Sequence, residues 1–354
     1  MMKILLFDPT CLTYRIHVYE YLIKGFKKKG YALSIYYDEN LRDLNNPGFY
    51  GIRYDYKTFL KIHKEERPDI SIFFVWLRYK FSLPFLIYCK LFLPVRTIVW
   101  SKGINISKNN QFIMNQLYYL RQKMADALIL YSQNELKYIK TNKNKVFIAN
   151  NTINQYKYTL HSKVDELKSK YNISHANNVL FVGRIQKRKK LQLLLEVFSK
   201  RVENHGLIIV GDGITQEMRN IINNNDNIYY LGPIYNLDTL SEVYSISDVF
   251  CIPGEIGLGL NEAFLFGLPV ITTYIRETSE MYLLFKNNIN GLLYKKDNVD
   301  DLADKLLYLL DNKNVRDEFS QNARKSFEEN AKIEYMYDGF INAIKYLKNN
   351  DKRN

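Results

Sequence analysis

The segment SDVFCIPGEIGLGLNEAFLFGLPVITT, from Ser247 to Thr273, constrains this chain more than any other stretch. It reads as a buried strand (Val249 to Ile252), a glycine-rich turn, a short helix closed by Gly267, and a second strand begun by Pro269. Glycines at 254, 257 and 259 keep side chains out of a loop that runs straight into the helix. Such a loop directs backbone N–H groups and the positive end of the helix dipole at one place, which suits a phosphate. Glu262 falls one turn into that helix, where a carboxylate can accept hydrogen bonds from sugar hydroxyls. A strand-to-helix turn of this kind also serves plain packing, so the segment fixes a local fold before it fixes a function.

The same alternation runs through the chain. Short apolar runs at Lys3 to Phe7, Tyr31 to Tyr37, Ile70 to Val75, Thr97 to Trp100, Ala127 to Tyr131 and Val146 to Ala149 are expected strands. Helical spacing marks Tyr14 to Lys28 and Leu83 to Phe92. The pattern lapses between about Asn151 and Tyr171. It resumes with strands at Val179 to Val182, Gly206 to Val210, Ile228 to Leu231, Val249 to Ile252 and Val270 to Thr273, then helices at Val299 to Leu310, Val315 to Asn330 and Ile333 to Leu347. Strands alternating with helices argue parallel sheets covered on both faces. The expected architecture is α/β, with two Rossmann-like domains facing across a cleft. Residues 1–160 form the first and 161–332 the second, and the helix in 333–354 packs back towards the first.

The 354 residues suffice for two domains of ordinary size. With 47% hydrophobic and 25% charged residues the chain is globular. A formal charge of +13 implies an anionic partner: nucleic acid, an acidic membrane surface or a phosphorylated small molecule. Three cysteines, Cys11, Cys89 and Cys251, have no paired spacing and fit buried thiols of a reducing compartment. The opening MMKILLFDP is too short an apolar run for a signal peptide, and the stretch from Phe81 to Val95, broken by Pro84 and Lys90, is too short to span a membrane. The expected location is the cytoplasm, including the inner face of its membrane.

A second stretch, FVGRIQKRKKLQLLLEVF from Phe181, crowds Arg184, Lys187, Arg188, Lys189 and Lys190 into the turn after a strand. Open α/β sheets bind ligands at that end of their strands, and the planar fork of Arg184 suits a diphosphate. LIIVGDG from Leu207 and Leu231-Gly232-Pro233-Ile234 place further turns at the same sheet edge.

Taken in order, these pieces resemble the retaining GT-B glycosyltransferases of family 4. The resemblance is carried by Phe181-Val182-Gly183-Arg184-Ile185 with Lys189, Val210-Gly211-Asp212-Gly213, Leu231-Gly232, Ser247-Asp248, Gly257-Leu258 through Glu262-Ala263, and Gly267-Leu268-Pro269-Val270-Ile271. It covers the C-terminal half and thins out in the N-terminal half. It implies that Arg184 and Lys189 grip the donor diphosphate and neutralise the leaving nucleotide. No metal or other cofactor is expected, because the chain shows no aspartate pair like that of metal-dependent transferases and its five histidines are scattered. The amides at Gly257 and Leu258 would meet the distal phosphate, and Gly183 and Gly211 are further donor-binding positions. Glu262 would hold the ribose hydroxyls, and backbone at Ile234 would read the base, uridine or guanosine. The implied reaction moves a sugar from a nucleotide-diphosphate donor to a glycan or lipid-linked acceptor of an envelope or capsular polysaccharide.

Three departures accompany the resemblance. The family's first glutamate falls at Gly254, so either Glu255 reaches in from a shifted loop or the sugar is held otherwise. The usual glycine after the lysine is Lys190, which would add charge beside the phosphates. Trp100-Ser101-Lys102-Gly103 is similar to a Trp-Gly-His-Gly motif with Lys102 in the histidine's place. On the acceptor side, Arg15 either faces an acceptor phosphate or is a surface arginine. Lys24 to Lys29, Phe81 to Arg96 and Asn115 to Lys123 mix aromatics, leucines and cations as surfaces on anionic membranes do, although the apolar residues of Leu83 to Phe92 also suit helix-to-sheet packing. The competing readings are a GT-B-type nucleotide-sugar epimerase, which would need acid and base groups that form no visible set here, and a non-enzymatic nucleic-acid-binding protein. Against the latter, the cations gather at sheet edges and not along an aromatic-interleaved strand face.

Overall fold

The computed structural model describes residues 1–41, 43–75, 80–104, 112–275 and 278–350. The chain divides into two compact units, Met1–Asn154 with Ile333–Asn354, and Gln155–Lys332. In chain order the first unit contains β1 (Met2–Phe7), α1 (Thr13–Lys28), β2 (Tyr31–Asp38), β3 (Phe49–Ile52), α2 (Tyr56–Glu66), β4 (Ile70–Phe74), α3 (Ser82–Phe92), β5 (Arg96–Ser101), α4 (Phe112–Met124), β6 (Ala127–Leu130) and β7 (Val146–Ile148). The second contains α5 (Val164–Lys170), β8 (Asn178–Val182), α6 (Leu191–Lys200), β9 (Gly206–Val210), α7 (Gln216–Asn223), β10 (Ile228–Tyr230), α8 (Leu237–Ser245), β11 (Val249–Ile252), α9 (Gly259–Leu265), β12 (Val270–Thr272), α10 (Ser279–Leu284), β13 (Gly291–Leu293), α11 (Val299–Asp311) and α12 (Lys313–Asn330). The last helix, α13 (Ile333–Asn349), belongs to the first unit.

In the first unit seven parallel strands lie in the order β3-β2-β1-β4-β5-β6-β7. Their side chains alternate between two cores, as a pleated strand buried on both faces requires. Ile4, Leu6, Ile35, Ile72, Ile98 and Ile129 join Tyr19, Leu22 and Phe26 of α1 and Met336, Phe340 and Ile344 of α13. Leu5, Phe7, Phe73, Val99 and Leu128 join Phe59 of α2 and Phe85, Leu86 and Cys89 of α3. The aliphatic and aromatic inner face of α3 is thus core, while Leu91 and Phe92 at its end are exposed.

The second sheet has six parallel strands in the order β10-β9-β8-β11-β12-β13. The edge strands β3 and β13 and the helix α2 go beyond the sequence reading; four and three residues are too short to show a period. Asp55 caps α2 by accepting from the Thr58 amide at 2.8 Å, a start signal visible in the sequence only once the helix is known. The unit boundary lies at 154/155 and not at 160/161, because the intervening segment is tied to α8. The Thr159 amide donates to Ser241 Oγ and the His161 amide to Ser245 Oγ, each at 3.2 Å.

Candidate active site

In both sheets the chain starts in the middle, builds outwards on one side, then returns to build on the other. Ligands of open α/β sheets bind outside the carboxyl ends of the two strands that part at this reversal. In the second unit those strands are β8 and β11, and the loops that follow them meet. The Glu255 amide donates to the Arg188 carbonyl at 3.0 Å, and Lys189 Nζ donates to the Ile256 carbonyl at 3.0 Å. A Cβ on Gly254 would lie 2.0 Å from the Arg188 carbonyl oxygen, so this place admits no side chain. That explains why a glycine stands where the related family has its first glutamate.

Neighbouring loops are drawn in the same way. Gly183 donates to the Val210 carbonyl at 3.0 Å, Ile185 to the Asp212 carbonyl at 2.7 Å, and Gly211 to the Gly232 carbonyl at 2.9 Å. Gly211 has φ +154°, and a Cβ there would lie 2.2 Å from the Gly183 carbonyl oxygen. Main chain therefore packs on main chain along the carboxyl edge. Gly257, at φ +61°, faces open space. Ile234 is half-buried in the loop after β10, and Leu258 immediately precedes α9.

The five cations of the β8 turn part company. Arg184 is exposed and its Nε lies 3.9 Å from Asp212; among the described residues no hydrogen bond or ion pair joins it to Lys189 or to the Gly257 turn. Arg188 pairs with Glu255 at 3.2 Å, which occupies the carboxylate expected to reach for the donor sugar. Lys187 is exposed. Lys190 has φ +56°, a conformation that explains the glycine usual there, and its ammonium pairs with Asp297. The expectation that Lys190 adds charge beside the phosphates is corrected accordingly, since a carboxylate neutralises it. Lys189 is the buried member, 8% exposed. Burial, and then the nearby Arg188, hold its pKa down at about 8, with Glu262 and Glu255 pulling the other way.

Glu262 is held by two hydroxyls that sequence reasoning did not find. Tyr158 donates to Oε1 at 2.8 Å and Tyr244 to Oε2 at 3.0 Å. Burial pushes the carboxyl's pKa up, and the two tyrosines and Lys189 hold it down. Tyr244 stacks between Phe250 and Phe266, on the buried face of α8. A buried tyrosine seeks a partner for its hydroxyl, so Tyr244 had a signal of a kind. Tyr158, in the stretch where periodicity lapses, had none. Among the described residues no three His, Cys, Asp or Glu side chains gather to hold a metal ion.

On the first unit's carboxyl edge, Arg15 is neither a surface arginine nor turned outwards to a phosphate. It is 3% exposed, with its guanidinium 4.3 Å from the Phe74 ring centroid and 4.5 Å from that of Trp100. It donates to the hydroxyls of Tyr14 (3.0 Å), Tyr19 (3.2 Å) and Tyr131 (2.5 Å) and faces Asp8 at 3.5 Å. Tyr19 and Thr10 also donate to Asp8. Arg15 is therefore a core cation, sandwiched by rings. Lys102, after β5, lies with Nζ 5.3 Å from the Tyr131 ring centroid.

Residues 163–326, all within the second unit, match the model of the family described as glycosyl transferases group 1. An uncharacterized glycosyltransferase of Methanocaldococcus jannaschii is 26% identical over 222 residues, 58% of this chain and 55% of that protein. An alpha-1,4-N-acetyl-D-galactosaminyltransferase of Campylobacter jejuni, whose name specifies a PP-undecaprenol-linked glycan, is 27% identical over 201 residues, 52% of each protein. The chain spans about half the length of these curated relatives. HepE of Anabaena, solved with UDP, matches with a TM-score of 0.78 at 12% identity, covering 98% of this chain and 100% of that one. The fold is GT-B, and residues 163–326 of the second unit are similar to the glycosyl transferases group 1.

Proposed function

We propose that the protein transfers a sugar, with retention at the anomeric carbon, from a nucleotide-diphosphate donor to a glycan or lipid-linked acceptor of a surface polysaccharide. The observation that carries this reading is Lys189: a buried ammonium at the reversal point of the second sheet, held against the loop that leads to Gly257 and within the field of Glu262. A buried cation needs an anion, and the site offers main-chain amides and a diol-accepting carboxylate beside it. A diphosphate joined to a ribose meets all three. HepE binds UDP, and the Campylobacter relative is named for a lipid-linked acceptor, which favours a uridine donor and an acceptor of that kind.

In the transfer the acceptor oxygen bonds to the anomeric carbon as the bond from that carbon to the phosphate oxygen breaks. The departing diphosphate takes the electron pair, and on the same face it receives the acceptor's hydroxyl proton. Lys189 and the amides near Gly257 meet the developing charge. Arg184, exposed and loosely held by Asp212, swings from it to the diphosphate. Preorganised donors of this sort each lower a barrier by about 3 kcal/mol. The reading needs no metal, so turnover persists in a chelator. Glu262 accepts the ribose hydroxyls on the lone pairs its tyrosines leave open. No helix among the described residues is long and apolar enough to cross a membrane. Exposed Leu91, Phe92, Phe112 and Ile113 would supply a peripheral contact with an anionic membrane at its inner face.

The test is a melting-temperature panel of UDP, GDP and their sugars, followed by transfer to a lipid-linked acceptor and assignment of the new anomeric configuration by NMR. A folded protein that no nucleotide diphosphate stabilises, or an Arg184→Ala variant with undiminished transfer, defeats the respective claim. Flotation with anionic liposomes at low and high salt tests the membrane contact, and no binding at low salt removes it.

A further inference from the structure

The first sheet has its own reversal point, between β1 and β4, and a cation is buried beside it too. Pro9 follows β1 and Val75 follows β4; with Phe74, Ser82, Leu86 and Arg121 they line a cavity of about 10 Å³. That is room for roughly one water-sized group. Arg121, on the last turn of α4, is 3% exposed. Its Nη1 donates to the Leu117 carbonyl at 3.1 Å and its Nη2 to Ser82 Oγ at 3.2 Å. Both acceptors are neutral. A guanidinium has five N–H donors, and the remaining ones have no acceptor among the described residues.

Among the described residues, the other buried arginines do not stand alone. Arg15 has Asp8 and Arg316 has Asp248. Around Arg121 no carboxylate approaches among the described residues. Burial accordingly pulls its pKa down, opposed only by Tyr118. An arginine does not shed its proton at ordinary pH, so its charge stays and wants a counter-charge.

We infer that Arg121 is the floor of an oxyanion site in the first unit, taking one oxygen of a phosphate or carboxylate into the cavity between the carboxyl ends of β1 and β4. The planar fork presents parallel donors suited to such a group, and the apolar lining keeps water from competing. Assigning the anion to the acceptor substrate rests on the transferase reading; the site itself does not. The acceptor class it specifies is one carrying a phosphate or carboxylate, in place of a neutral glycan.

The experiment uses the full chain in a Lys189→Met background, which removes the buried cation of the second unit. Inorganic phosphate should raise the melting temperature of Lys189→Met and lose that effect in Lys189→Met/Arg121→Met. Hexyl phosphate and hexanoate, run alongside, distinguish a phosphate from a carboxylate source. Arg121→Met alone should melt no lower than wild type, because the charge removed is uncompensated; an arginine kept only as a brace for Ser82 and Leu117 predicts a lower melting point and an unchanged phosphate response. Should Arg121→Met fail to fold, Arg121→Lys keeps the charge without the fork and should retain a reduced response. Equal phosphate shifts with and without Arg121, or no shift in Lys189→Met, overturn the site. In a transfer assay with a phosphate-bearing acceptor, Arg121→Met should raise the acceptor KM at least about tenfold and leave the donor KM alone. If wild type binds phosphate through Arg121 and transfers no sugar, the transferase reading fails and the oxyanion site stands.

Discussion

The two sheets share a strand order around their first strand, yet their carboxyl edges are finished in opposite ways. In the second unit the edge is mostly main chain: Gly183, Gly211 and Gly254 bring loops within hydrogen-bond reach of one another, with Lys189 buried beside them and Glu262 held by two tyrosines. In the first unit the corresponding edge is filled by side chains, with Arg15 between Phe74 and Trp100 and three tyrosine hydroxyls and one carboxylate around it. Topology fixes where a ligand can bind, and the filling decides what it meets. Backbone amides suit a fixed, repeated ligand such as a diphosphate; an aromatic edge is a matter of individual side chains and suits a partner that differs from protein to protein.

The comparison breaks most visibly at its two arginines. Arg15→Met leaves Asp8 buried without its cation and should cost about 3–5 kcal/mol of stability, read from urea unfolding. Arg184→Met, on an exposed chain, should stay within about 0.5 kcal/mol of wild type. Equal losses would mean that Arg15 does not turn inward or Arg184 outward. Next in size is Lys189→Met, which should lower kcat/KM for the donor by a few hundred-fold, about 3 kcal/mol of barrier, with little loss of stability. A variant that unfolds and keeps its activity per folded molecule would make Lys189 a packing residue.

That contrast also governs what the sequence discloses. Glycines forced by close main-chain approach, Gly211 and Gly254 among them, and cations next to a strand end leave a mark that can be read in order along the chain. Lys189 was legible for that reason. Arg15 was not, because nothing in Thr13-Tyr14-Arg15 says that the guanidinium turns inward to rings from β4 and β5. Lys190 reads as one more phosphate cation until Asp297, distant in sequence, is brought beside it. The pairing of Tyr158 and Tyr244 on Glu262 likewise joins residues from a loop and a helix that carry no common pattern.

Those tyrosines give a smaller and sharper test. Tyr158→Phe removes one hydrogen bond to a charged acceptor, about 1.5–3 kcal/mol where the site is dry. Nucleotide affinity should fall by about tenfold or more, and because the carboxyl's pKa then rises further, binding should begin to fail on acidification at a higher pH than in wild type. An unchanged pH profile in isothermal titration would leave Tyr158 as packing alone.

The smallest expected effect concerns Lys189 and pH. Its folded pKa of about 8 lies below the ordinary 10.5. Between those values the unfolded chain binds a proton that the folded chain lacks, so the Lys189 contribution to stability rises with pH across that window, and its full burial penalty applies below about pH 8. A diphosphate needs the charged form, so nucleotide affinity should move the opposite way, falling by up to about tenfold per pH unit above the lysine's pKa. Melting scans from about pH 7 to 9.5 should therefore show the nucleotide-induced shift shrinking, while the ligand-free protein loses less stability with pH than Lys189→Met does. A bound diphosphate raises the lysine's pKa and moves the onset upwards, which a titration at saturating UDP would reveal. If the shift is flat across this range, Lys189 does not meet the phosphates, and the bare edge of the second sheet holds its ligand through amides alone.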